Sequence, residues 1–309
     1  MGGGHDHGHD GRHLADISNR RRIALVLTIT GIVLVAEVIG ALWTGSLALL
    51  ADAGHMLTDA AGLVLALVAA HLVTRPATSR RTWGYRRAET LAAAVQALLL
   101  LGVGIYVLVE GIRRLVDPPE VASAGMLVFG IVGLVGNAVC IALLAGSRGH
   151  NLNLRAAFLE VLNDALGSVA VIDAAIVIAT TGWTRADAVV SLLIGVLILP
   201  RTVSLLRDTA RVLLESTPLG LNLDDIRAHI LEVPHVRDVH DLHASQIATG
   251  LPVLTAHVVV DDECFYDGHL ARLLDDLQTC VAHHFPVSVE HSTFQFEQVS
   301  HAEHEASHH

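Results

Sequence analysis

Lysine does not occur in this chain of 309 residues, so all twenty basic side chains are arginine. Charge of either sign is scarce: 17% of residues are charged, 52% are hydrophobic, and mean hydropathy is +0.53. Soluble domains carry about 25% charged residues, so the deficit excludes an ordinary water-soluble globule. Cysteine is equally scarce. Cys140, Cys264 and Cys280 stand alone without paired spacing, which excludes a disulfide framework and a thiolate zinc knot and fits a reducing compartment for the part carrying the last two. Basic charge is nearly missing from residues 213–309, which hold three arginines against sixteen acids in a chain of net charge −11. Nucleic acid is thereby excluded as a partner and cations are favoured.

What the chain has in abundance is long apolar runs. Six can be drawn, 23–43, 46–73, 88–115, 121–145, 154–180 and 183–203, each near the ~20 residues that cross ~30 Å of hydrocarbon. This predicts an integral membrane protein: a disordered His-rich tail over 1–21, a six-span helical domain over 22–212, a cytoplasmic domain over 213–298 and a second His-rich tail over 299–309. The amino-terminal segment has no apolar core before Arg20, Arg21 and Arg22, so it does not read as a cleavable signal, and the first span serves as an anchor. Arg12, Arg20 to Arg22, Arg75, Arg80, Arg81, Arg86, Arg87, Arg148 and Arg155 fall on one side of the six spans, and only Arg113, Arg114 and Arg185 on the other. The positive-inside rule places both termini in the cytoplasm, at the inner (plasma) membrane. Gly130, Gly133 and Gly136 recur at three-residue spacing in the fourth span, a pattern that admits close helix contact.

Past Pro218 the periodicity changes. Leu223, Ile226, Ile230 and Val233 keep helical spacing, with Asp224 and Asp225 in the first turn where negative charge suits the dipole. Residues 239–247 and 253–261 read as strands broken at 248–252, Leu270 to Val281 as a second helix, and 287–297 as a last strand. The order α-β-β-α-β predicts a small α+β domain of the ferredoxin-like kind.

Two strings carry the chemistry. His55 and Asp59 lie four residues apart in the second span, and Glu160 and Asp164 four apart in the fifth. That spacing stacks each pair on one helix face. An acid at the bilayer centre costs about 2.5 to 3.5 kcal/mol on insertion scales, so such residues mark function. One imidazole and three carboxylates supply the four donors of a tetrahedral zinc site, and helices supply them without breaking backbone hydrogen bonds. Asp52 reads either as an exit ligand or as a polar packing residue; Glu37 and Glu110 read as structural or gating residues. Because metal and protons compete for the same donors, a bundle that exposes the site alternately to each face would couple movement of a divalent cation to opposite movement of protons. A membrane-bound metal sensor and an intramembrane hydrolase are the rivals. The sole His-Glu-x-x-His string, His304 to His308, lies in the polar tail, and four protein ligands leave no open position for a catalytic water.

The run from Ser46 to Ala60, the stretch from Asn151 through Asn163-Asp164-Ala165 to Ser168, and Thr82-Trp83-Gly84-Tyr85-Arg86-Arg87-Ala88-Glu89 resemble the second, fifth and third spans of the cation diffusion facilitator family. The resemblance covers about residues 20–298. It implies zinc export in exchange for protons by a homodimer in the bilayer, with His55, Asp59 and Asp164 as metal ligands. Glu160 departs from the His or Asp usual in zinc exporters, and its harder oxygen donor widens the metal choice toward manganese and iron, with cadmium and cobalt also possible. Arg86 replaces a histidine of many relatives. The resemblance also implies that His240, His257 and His291, one on each strand, form a cytoplasmic site for zinc as a regulatory ligand. The family's acid two residues after the last of these is here Thr293, for which His243 or His269 could compensate.

Overall fold

The computed structural model describes residues 9–145 and 152–302. Six long helices come first: α1 His9–Thr44, α2 Leu47–Val73, α3 Ala88–Val116, α4 Ser123–Ala145, α5 Leu152–Thr181 and α6 Arg185–Leu213. Each contains a window apolar enough to span a bilayer, and large apolar side chains such as Leu42, Trp43, Val116 and Leu197 point outward at 69% exposure or more. Lipid is the solvent that makes this arrangement favourable.

Two boundaries differ from the expectation. Helix α1 reaches back to His9, into the segment expected to be disordered, because extending an existing helix costs far less than starting one. Helix α6 runs on through Pro200 to Leu213. A proline deletes only one rung of the ladder, and the apolar pattern resumes beyond it. The remaining tail positions, 1–8 with His5 and His7 and 303–309 with the His304 to His308 string, lie outside the described residues.

The chain folds as two compact units, residues 1–61 with 98–203, and residues 62–97 with 204–309. In the first unit, the predicted small-residue stripe is where helices meet. A Cβ on Gly130 would lie 2.9 Å from Ile172 of α5, on Gly133 2.6 Å from Glu37 of α1, and on Gly136 2.3 Å from Val33 of α1. Only a hydrogen fits at these contacts.

The second unit contains the small α+β domain: α7 Leu223–Leu231, β1 Val236–Ala248, β2 Leu251–Val260, α8 Cys264–Asp267, α9 His269–His283, β3 His291–Gln298 and α10 Val299–Ala302. The Asn222 side chain caps α7 by accepting from Asp224 N at 3.0 Å. Strands β1 and β2 form an antiparallel hairpin, and β3 adds parallel to β2. The hairpin turn is tighter than the expected break, with Ala248 pairing with Leu251 and Gly250 taking φ +73°. Strand β3 starts at His291 rather than 287, since Val289 donates its N–H to Val281 O at 3.1 Å and is fully buried against the helix. Ile226 and Ile230 of α7 and Leu273, Leu277 and Val281 of α9 cover Val239, Leu254, Ala256 and Val258 of the sheet.

Candidate functional site

The first ligand pair depends on how α2 is hung. Gly45 (φ +71°) turns the chain out of α1, and Ser46 caps α2 by accepting from Leu49 N at 3.2 Å. The remaining free N–H groups are served from another helix. Asp187 of α6, 1% exposed, accepts from Leu47 N at 2.7 Å, from Ala48 N at 3.1 Å and from the Ser46 hydroxyl at 2.5 Å. Arg114 of α3 stands 3.7 Å from the same carboxylate, donates to Gly45 O at 2.6 Å, and pairs with Glu110 at 3.2 Å. Three helix ends are thus tied to one buried anion, which fixes the height at which α2 presents its donors. Glu110, read from sequence as structural or gating, belongs to this knot.

Two turns deeper, His55 Nε2 and Asp59 Oδ2 are 3.4 Å apart, as the four-residue spacing requires. Asp59 and Glu160 of α5 are within hydrogen-bonding range of each other. A cation can bridge two carboxyl groups set that close. His55 and Asp164 both line a cavity of about 390 Å³, together with Asp52, Asn163 and Arg201 and an apolar wall from Leu193 to Ile198. Asp164 is 5% exposed and Asp52 4%. Glu37 of α1 is 1% exposed, and Glu37 Oε2, Asp52 Oδ2 and the Nδ1 of His55 are buried without a hydrogen-bond partner among the described residues. Of the four predicted residues, His55 and Asp164 line this cavity, and Asp59 adjoins His55. Sequence reasoning missed Asp187 and Arg201. Both carried the same signal, a full charge inside the apolar run 183–203, but nothing in the run shows what either faces.

In the α+β domain, His240 of β1 and His257 of β2 are register partners. A bulge between His240 and His243, with Asp241 at φ +47°, brings the Asp241 carboxylate to the same place. The ligand atoms of His240, Asp241 and His257 all lie within 4.8 Å of one another, tighter than any three donors of the intramembrane set among the described residues. Glu297 of β3, 2% exposed, has Oε2 at 3.2 Å from His240 Nε2 and Oε1 at 2.8 Å from His257 Nδ1.

His291 is not brought to this group. It pairs with Val253, four rungs along β2 from His257, and its ring lies 4.8 Å from the Trp83 indole. The acid sought near position 293 is instead Glu297, whose place follows from the β2 and β3 register, which sets it opposite Val259. His269 pairs with Asp267 at 2.6 Å, and His243 faces Thr255. Two imidazoles and two carboxylates form a donor set suited to zinc.

Over residues 23–214 the chain matches the family described as cation efflux transmembrane domain, and over 218–299 the cation efflux protein, cytoplasmic domain. It is similar to the metal cation efflux system protein CzcD of Cupriavidus metallidurans, at 43% identity over 96% of this chain and 90% of the relative. The zinc transporter ZitB of Escherichia coli is 41% identical over 95% and 92%. A protein of Bacillus velezensis named cadmium, cobalt and zinc/H(+)-K(+) antiporter is 39% identical over 84% and 82%. A solved structure, the metal-bound C-terminal domain of the CzcD transporter, is 32% identical and covers 25% of this chain and 99% of its own, with a TM-score of 0.22.

Proposed function

Given that the chain belongs to the cation efflux family, the cation diffusion facilitators, we propose that it exports zinc, with cadmium and cobalt as further cargo, from the cytoplasm in exchange for protons. His55, Asp59, Glu160 and Asp164 are the transport ligands. The observation that supports this reading is the His55 and Asp59 pair, 3.4 Å apart, with His55 and Asp164 lining one cavity. Ligation needs a neutral imidazole and ionised carboxylates. A zinc ion entering from the cytoplasm displaces protons from these donors, and protons from the far side reclaim the donors and evict the ion. A site that is open alternately to each face turns this competition into transport.

The protein resides in the plasma membrane with both termini cytoplasmic, a placement that the arginine asymmetry supports, and works as a homodimer. His240, Asp241, His257 and Glu297 hold a regulatory zinc in the cytoplasmic domain. The test is flux in sealed vesicles containing the purified chain, challenged with zinc, cadmium, cobalt, manganese and iron while internal pH is recorded. Zinc movement coupled to an opposite proton movement, absent from Asp59→Ala, is the expected outcome. Metal movement without any proton signal would count against exchange, and normal flux in Asp59→Ala against the ligand assignment.

A further inference from the structure

One charge of the membrane helices has no part in the exchange just described. Arg201 follows Pro200 in α6 and lines the same cavity as Asp52, His55 and Asp164, while the rest of the α6 wall, Leu193, Ile194, Leu197 and Ile198, is apolar. It forms no ion pair within 4 Å among the described residues, unlike Arg114, which is locked to Glu110 and Gly45. Its charge faces the same cavity as His55 and Asp164.

Guanidinium has no acceptor atom, so Arg201 is no metal ligand. In a cavity where protons and metal replace one another, it is the positive charge that neither can remove. Low-dielectric surroundings extend the reach of that charge well beyond contact distance. A structural arginine would be tied to a carboxylate or carbonyl; this one is held near the anionic donors without being spent on any of them.

We propose that Arg201 is a tethered counter-cation that sets the affinity of the intramembrane site. With the metal absent, it balances part of the carboxylate charge. With the metal present, it repels the ion and holds affinity low enough for release. The idea rests on the four-ligand reading, and the experiment separates the two. Zinc is titrated into the purified full chain in lipid nanodiscs, comparing the parent with Asp59→Ala, Arg201→Met and Arg201→Lys, and the component that Asp59→Ala removes is taken as the intramembrane site.

Arg201→Met, which keeps the apolar stem, should tighten that component about tenfold, the equivalent of about 1.4 kcal/mol. It should also slow turnover in vesicles, while Arg201→Lys stays near the parent. Unchanged or weaker zinc binding by Arg201→Met, with the Asp59-dependent component intact, overturns the role of Arg201 alone. A titration that Asp59→Ala does not alter overturns the ligand set instead, and this proposal with it. Should Arg201→Met fail to fold, Arg201→Gln carries the same expectation. The direction is decisive, since loss of a packing residue weakens a site and does not tighten it.

Discussion

Asp187→Ala is the perturbation whose cost can be worked most fully from the structure. The carboxylate accepts three hydrogen bonds, from Leu47 N, Ala48 N and the Ser46 hydroxyl. Hydrogen bonds to a charged group contribute roughly 1.5 to 3 kcal/mol each, which sets a ceiling of about 4.5 to 9 kcal/mol for the three. Two features lower it. Ser46 still caps Leu49 N, and Arg114 keeps Glu110 and Gly45 O, so the cation is not stranded. Removing one partner from a buried charged pair costs about 3 to 5 kcal/mol, and that is the expected loss for Asp187→Ala. Asp187→Asn retains one acceptor oxygen and should lose about half as much. The assay is reversible unfolding of the full chain in mixed micelles, followed by helical circular dichroism. A double-mutant cycle with Arg114→Gln should add a coupling energy of at least about 0.5 kcal/mol. Asp187→Ala within about 1 kcal/mol of the parent would refute the view that α2 hangs from α6 through this carboxylate.

Gly133→Ala places a methyl group 2.6 Å from Glu37 Oε1 and 2.9 Å from Ser168 Oγ, and should destabilise the membrane domain by about 1 to 3 kcal/mol in the same unfolding assay. In the α+β domain, Glu297→Gln should weaken zinc binding to the cytoplasmic cluster by more than tenfold, measured by titration in an Asp59→Ala background, because the carboxylate that faces both His240 and His257 loses its charge. Asp261 is held below the usual carboxylate range by the hydrogen bond from Arg237 and next by that of His235. The stabilisation from a depressed carboxylate is complete above the unfolded value of about 3.9 and is lost as pH falls through the folded value. Arg237→Gln should therefore lower domain stability at pH 7, with the difference from the parent shrinking below about pH 4 in chemical unfolding curves.

Local periodicity made much of this legible in advance. His55 with Asp59 and Glu160 with Asp164 are pairs at helical spacing in apolar runs, so their shared faces follow from 3.6 residues per turn and need no tertiary knowledge. The Gly130, Gly133 and Gly136 stripe was readable for the same reason. Asp187 was not, because its partners lie about 140 residues away and a single acid near a span end looks like any interfacial residue. Arg201 falls inside the sixth apolar run, yet the run alone gives no sign that it faces the ligand cavity. The cytoplasmic cluster went astray by one member, since strand spacing cannot show that Val289 turns onto α9 and delays β3 until His291. The register of β3, with His291 opposite Val253 and Glu297 opposite Val259, puts Glu297 rather than His291 beside His240 and His257. A bulge at Asp241 likewise leaves no trace in alternation, because it breaks the period that alternation relies on.

At the centre stands competition between one metal ion and protons for His55, Asp59, Glu160 and Asp164. Proton release on zinc binding measures it directly: the purified chain in weakly buffered solution is titrated with zinc at several pH values, and the protons freed per ion are counted for the parent and for Asp59→Ala. The account expects release of at least one proton per zinc in the parent near neutral pH, with the Asp59-dependent part lost in the variant. Zinc bound tightly at the Asp59-dependent site with no proton released at any pH would contradict it.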